Sequence, residues 1–217
     1  MKNVFFEPFV GEQYDKGYLG KKILVLGDSH YCGDDRKAQC VQAGDCLKLP
    51  ECHDFTSRVL RYFFEYKEGV SGHQMWMNTY NRFTNVFLVE KGGKVNYEQF
   101  MDFWNSIMFY NYVQVPMDGS RKEPTQKEYE DSQDAFFEVL EEYKPDLIDI
   151  WGWRLLGKLP KKNKSAADFK SLNASNSEHY CYFEVAGKKI LAYAHPHPSA
   201  NFGYEYHSKL QEAVRLA

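Results

Sequence analysis

Two short segments of this 217-residue chain carry side chains able to move protons or attack a bond. One is Gly27-Asp28-Ser29-His30-Tyr31; the other, far along the chain, is His195-Pro196-His197-Pro198-Ser199. Asp28 offers a carboxylate and Ser29 a hydroxyl. His30, His195 and His197 offer imidazoles, the one side chain that ordinarily titrates near neutrality. Each segment follows an apolar run: Lys22-Ile23-Leu24-Val25-Leu26 leads into Gly27, and Lys189-Ile190-Leu191-Ala192-Tyr193-Ala194 into His195. A third run, Asp146-Leu147-Ile148-Asp149-Ile150, ends in Trp151-Gly152. Short continuous apolar runs are how buried parallel strands read, and open α/β sheets bind ligands at the carboxyl ends of their strands. The three strand ends are therefore expected to meet in one active site. Each signal alone is weak, since a Gly-Asp-Ser turn is often only a turn and a His after a strand is often a satisfied structural His.

The segments between supply the elements that must position these residues. Asp54 is expected to cap a helix with Phe55, Val59, Phe63 and Tyr66 on one face. Asn85-Val86-Phe87-Leu88-Val89 reads as a strand. Asn96 and Gln99 form a capping pair for a helix that turns Phe100, Phe103, Trp104 and Ile107 inward. Phe109-Tyr110-Asn111-Tyr112-Val113-Gln114 reads equally as a buried strand end or as more of that helix. Thr125 and Glu128 open a long helix, with Tyr129, Phe136, Leu140 and Tyr143 on one stripe, that stops at Pro145. Ala186-Gly187-Lys188 between Tyr180–Val185 and Lys189–Ala194 is a hairpin signal, and the chain from Tyr204 on is helical in pattern. Strands alternating with helices imply a mainly parallel, twisted central sheet covered on both faces.

With these residues in place, the chain resembles the uracil-DNA glycosylase superfamily from about residue 20 to residue 210. That family has a Gly-Gln-Asp-Pro-Tyr or Gly-Glu-Ala-Pro-Gly type loop after its first strand, matched here by Gly27-Asp28-Ser29-His30-Tyr31. Its base-reading Asn at a central strand end is matched by Asn111. Its strand ending in Leu-Trp-Gly is matched by Ile150-Trp151-Gly152, and its His-Pro-Ser-Pro motif by His195-Pro196-His197-Pro198-Ser199. The resemblance implies one three-layer αβα domain over residues 1–217 that hydrolyses an N-glycosidic bond. The substrate would be a nucleobase in nucleic acid, single-stranded nucleic acid included, or in a nucleoside. It further implies that His195 stabilises the leaving base, that Asn111 reads it, and that Tyr31 or a nearby ring stacks on it. Asp28, Ser29 and His195 are then the catalytic candidates, and Gly27, His30, Tyr31, Asn111, His197 and Ser199 line the substrate. The chain departs from the family where Ser29 replaces the water-activating Asp of the classical branch, with Asp28 one place earlier. His30 replaces the loop proline and His197 the Ser of the last motif.

Two other readings use the same residues. Gly27-Asp28-Ser29 resembles the Gly-Asp-Ser-Leu esterases of the SGNH type, with Ser29 as nucleophile and His195 as its base. That family's acid three residues before the His is here Ala192. The other reading is a base- or nucleic-acid-binding protein without catalysis.

Composition narrows the partners. A net charge of −3 and a pI near 6.2 give no global basic field for nucleic acid, and Lys158, Lys161, Lys162 and Lys164 read as a solvated loop. An aromatic share of 17% fits an aromatic-rich core with some rings left near the surface. Met1-Lys2-Asn3-Val4-Phe5-Phe6-Glu7 lacks the apolar run of a signal peptide, and no stretch approaches the ~20 apolar residues of a membrane span, so a cytoplasmic protein is expected. Cys32, Cys40, Cys46 and Cys52, with adjacent His53, lack the short spacings usual for zinc or for the family's iron–sulfur branches. They are expected to be reduced thiols, with a metal knot as the alternative and no cofactor otherwise.

Overall fold

A computed structural model describes residues 1–31, 52–117, 119, 122–166 and 179–217. Its frame is a seven-stranded mixed sheet built from β1 (Phe9–Val10), β2 (Ile23–Gly27), β3 (Ile107–Asn111), β4 (Leu147–Trp151), β5 (Lys164–Ala166), β6 (Tyr180–Val185) and β7 (Lys188–His195). The strand order is β1-β3-β2-β4-β7-β6-β5. The four inner strands β3, β2, β4 and β7 are mutually parallel, while β1, β6 and β5 pair antiparallel at the flanks.

The inner strands are apolar without alternation because both sheet faces are covered. Ile23, Leu24, Val25 and Leu26 are all fully buried. On one face, α1 (Phe55–Lys67), α2 (Met77–Leu88), α3 (Tyr97–Ser106) and α7 (His207–Leu216) pack Phe63, Phe83, Phe87, Trp104 and Leu210 against Ile23, Val25, Phe109 and Trp151. On the other, α4 (Gln126–Asp131), α5 (Gln133–Tyr143) and α6 (Trp153–Lys158) pack Tyr129, Phe136, Leu140 and Leu155 against Leu24, Leu26, Ile148 and Ile150. Helices cover both faces, but the sheet is mixed where a mainly parallel one was expected, because β1, β6 and β5 pair antiparallel. No helix among the described residues is long and apolar enough to cross a membrane.

Local chemistry explains the element ends. Asn96 and Gln99 form a reciprocal capping box, as do Thr125 and Glu128. Ala186 and Gly187 both take positive φ, 48° and 76°, as a two-residue hairpin turn requires. Several expectations need correction. Asn85–Val89 is not a strand: it closes α2, where Tyr80, Phe83, Val86 and Phe87 recur at helical spacing and are buried. The helix after Thr125 breaks at Ser132, whose hydroxyl donates to the Glu128 carbonyl at 2.7 Å and accepts the Gln114 N–H at 3.0 Å. Asp54 makes no side-chain cap; its carboxylate pairs with Arg58 at 3.0 Å instead. On α1 the buried positions are Thr56, Leu60 and Phe63, so Phe55, Val59 and Tyr66 lie at the margins of that face. Ile107 starts β3 rather than ending a helix, which resolves the Phe109–Gln114 ambiguity as a strand through Asn111. Lys158 and Lys164 are not loop residues: they end α6 and begin β5.

Candidate functional site

Register brings the four parallel strands to one level at their carboxyl ends. Gly27 pairs with Asn111, Leu26 with Ile150, Ile150 with Ala194, and Trp151 with His195. The loops after β2, β4 and β7 therefore leave the same edge of the sheet. What that edge holds differs along its length.

At the β2–β3 end, Gly27 and Asn111 fit together. A Cβ added to Gly27 would overlap Asn111 Oδ1, so only glycine leaves room for the amide. Asn111 Nδ2 lies 3.1 Å and 3.2 Å from the two ring nitrogens of His30, and His30 Nε2 lies 3.0 Å from Thr56 Oγ1. His30 is buried between the rings of Phe6 and Phe55, at centroid distances of 4.9 and 4.8 Å. Burial lowers its pKa to about 3, so it is a neutral wall residue that takes no part in acid–base exchange near neutrality. Past Asn111, Gln114 accepts the Phe5 and Phe6 N–H groups and donates to the Asn111 and Tyr112 carbonyls, tying the N-terminal segment to this strand exit.

At the centre, Asp28 is already engaged. The Tyr129 hydroxyl donates to it at 2.9 Å, and the Arg154 guanidinium binds it through Nε at 3.0 Å and through Nη2. Burial, and then Asp28, push the Tyr129 hydroxyl up, so it remains a donor. Ser29 is half-buried, and its hydroxyl has no hydrogen-bond partner among the described residues. Tyr31 is 41% exposed and stands at the rim, next to Tyr80, whose ring meets Trp151 and Phe109 edge-on at 5.6 and 5.5 Å.

At the β7 end the two histidines part company. His195 is the last residue of its strand and is fully buried, which corrects the expectation that it lies open in the pocket beyond the strand. Its Nδ1 faces the Pro196 carbonyl at 2.7 Å, its Nε2 faces Asp149 at 3.2–3.3 Å, and Phe202 stacks on it at 4.4 Å. Both ring nitrogens are thereby filled, so the Ser29–His195 dyad of the esterase reading is not formed. Asn111 and His195 are also three strand positions apart in the sheet, about 14 Å.

His197 is the histidine at the edge. It is half-buried, its ring edge-on to Trp151 at 5.7 Å, and its Cβ would lie 3.7 Å from a Cβ placed on Gly152. Its Nδ1 accepts the Ser199 N–H at 3.1 Å and lies 2.7 Å from Ser199 Oγ. An accepting Nδ1 places the hydrogen of the neutral ring on Nε2. Burial, and then neighbouring His195, lower its pKa to about 4, against the opposing influence of Asp28. The ring is therefore neutral near pH 7 and is a hydrogen-bond donor within electrostatic reach of Asp28 and Arg154. Sequence matching is silent on the family. No protein-family model matches the chain, and no curated protein does.

Sequence reasoning missed Arg154 and Tyr129, which hold Asp28, and Thr56, which holds His30. Arg154 had one available signal: it is a cation two residues past the strand-ending Trp151-Gly152. Tyr129 read only as one ring of a core stripe. Among the described residues no group of three or more His, Cys, Asp or Glu is arranged to hold a metal. Cys52 is buried with a free thiol, and His53 Nδ1 donates to the Phe5 carbonyl at 2.9 Å. Cys32, Cys40 and Cys46 lie outside the described residues.

Proposed function

We propose that this chain is a divergent uracil-DNA glycosylase-like protein that hydrolyses the N-glycosidic bond of a nucleobase carried in nucleic acid or in a nucleoside. The observation that carries the reading is His197, a neutral imidazole whose Nδ1 is occupied by the Ser199 N–H. In this hydrolysis the bond between C1′ and the base nitrogen breaks, and its electron pair leaves with the base. Water adds to C1′, and its proton ends on the base. The developing anion needs a preorganised donor in a partly dry site, and the Nε2–H of His197 is one. His197-Pro198-Ser199 also keeps the His-Pro-Ser order of the family's last motif, two residues beyond the alignment on His195.

Other groups at the sheet edge suit the remaining tasks. Asn111 Oδ1 holds no hydrogen bond among the described residues, and it suits an N–H of a base edge. Asp28, fixed by Tyr129 and Arg154, is the carboxylate that would offset the positive charge developing on the sugar, and Ser29 the hydroxyl that would orient a water. Tyr31 at the rim offers a stacking face. An esterase finds less support, because His195 serves Asp149 and Pro196 instead of Ser29. A base-binding protein without catalysis is favoured by one observation, the double engagement of Asp28, which leaves the carboxylate less able to activate water.

The test is base release from a uracil-containing single-stranded oligonucleotide and from free nucleosides, beside a panel of acyl esters. Abasic sites or free base support the glycosidase. Base binding without release supports the binding protein. Ester turnover that vanishes in Ser29→Ala contradicts both.

A further inference from the structure

Asp149, on β4, and His195, on β7, are both completely buried on the sheet face covered by α2 and α7. The hydrogen-bond logic of the pair is restrictive. The Pro196 carbonyl can only accept, so His195 Nδ1 must carry a hydrogen. Nε2 sits 3.2 Å and 3.3 Å from the two oxygens of Asp149. An ionised carboxylate there needs a hydrogen on Nε2, and a protonated one supplies it, so either way one proton lies between the two groups. Phe202 and Phe83 cover the ring, at 4.4 and 6.3 Å, and keep water from competing. The titratable groups next to the pair are Tyr193 on β7, His197 in the following loop and Tyr206 in the turn before α7; Tyr180 on β6 and Glu212 on α7 lie one step further out, beside Tyr193.

We infer that Asp149 is a positioning residue: it shares a proton with His195 Nε2, and this fixes the His195 ring so that its Nδ1–H holds the Pro196 carbonyl and sets the loop that presents His197. The inference deepens the proposed function, but its readouts need no turnover, so failure of the glycosidase reading leaves them unchanged. In that loop, Ala200 N–H donates to the His197 carbonyl at 2.8 Å and Ser199 N–H to the His197 ring at 3.1 Å. Both bonds depend on where Pro196 is held.

The experiment uses the whole chain with ¹⁵N-labelled histidine. The expected spectrum shows the hydrogen of His195 on Nδ1, bonded to the Pro196 carbonyl. Asp149→Asn rescues this state, because its amide donates to Nε2 and keeps the hydrogen on Nδ1. Asp149→Leu cannot, and amide exchange at Ser199 and Ala200 then quickens by about tenfold or more, with Phe183 in β6 unchanged. A His195 without a hydrogen on Nδ1 in the parent overturns the inference, as does unchanged exchange in folded Asp149→Leu. Should Asp149→Leu not fold, Asp149→Asn decides: a retained Nδ1–H supports the pair, and its loss overturns it.

Discussion

His195 and His197 stand two residues apart in opposite surroundings. His195 is core: truncating it leaves the Asp149 carboxylate buried without a partner, a change that typically costs ~3–5 kcal/mol. Urea unfolding is expected to show His195→Ala destabilised by that amount, with His197→Ala within about 1 kcal/mol of the parent. Equal stability of the two variants would contradict the placement of His195. His30 gives a pH prediction. Its folded pKa, about 3, lies below the ordinary value of 6.5 expected when unfolded. Between these values the unfolded chain binds the proton and the folded chain does not. Stability is then complete above pH 6.5 and falls as the pH drops toward 3, by up to about 1.4 kcal/mol per pH unit. In urea titrations across that window, His30→Gln is expected to flatten this slope. A slope unchanged by the substitution would contradict a neutral, buried His30.

At the scale of elements, the joint between α4 and α5 holds the exit of β3. Ser132 is buried, and its hydroxyl answers both the Glu128 carbonyl and the Gln114 N–H. Ser132→Ala leaves that N–H buried and unpaired, at a cost of ~1–3 kcal/mol. Thr125→Ala, at an exposed cap, is expected to cost ~1 kcal/mol. Thermal unfolding of the two variants separates these cases, and a smaller effect at Ser132 than at Thr125 would argue against the joint. The α6 start works differently. Gly152, at φ 108°, turns the chain after β4 so that Arg154 reaches Asp28 across the sheet edge. Arg154→Met is expected to leave the largely buried Asp28 carboxylate without its cation, read as a melting temperature lower in the variant than in the parent. An unchanged value would mean that the pair carries no weight.

At the scale of the whole molecule, much of the frame was legible because its signals are local. The apolar runs ending at Gly27 and Trp151, the Asn96 and Thr125 boxes and the Ala186-Gly187 turn each announce themselves within a few residues. Asn85–Val89 misled because five residues are too few to separate a strand from the last turns of an amphipathic helix; Tyr80 and Phe83 decide it. The site was legible in position but not in roles. Gly27, Asp28, Asn111 and His197 do lie along one sheet edge, whereas Arg154 and Tyr129 reach Asp28 across sequence separations of 126 and 101 residues, which no short window reveals. The two His-Pro pairs are alike as sequence, and only the strand register shows that the first is sealed beneath Phe202. The most direct measurement on the central claim is the rate of abasic-site formation in a uracil-containing single-stranded oligonucleotide by the parent protein and by His197→Ala. The proposed role of His197 predicts release by the parent and a fall of about 10²–10³ in the variant with its fold intact. Equal rates in the two proteins, or no base released by the parent, would contradict it.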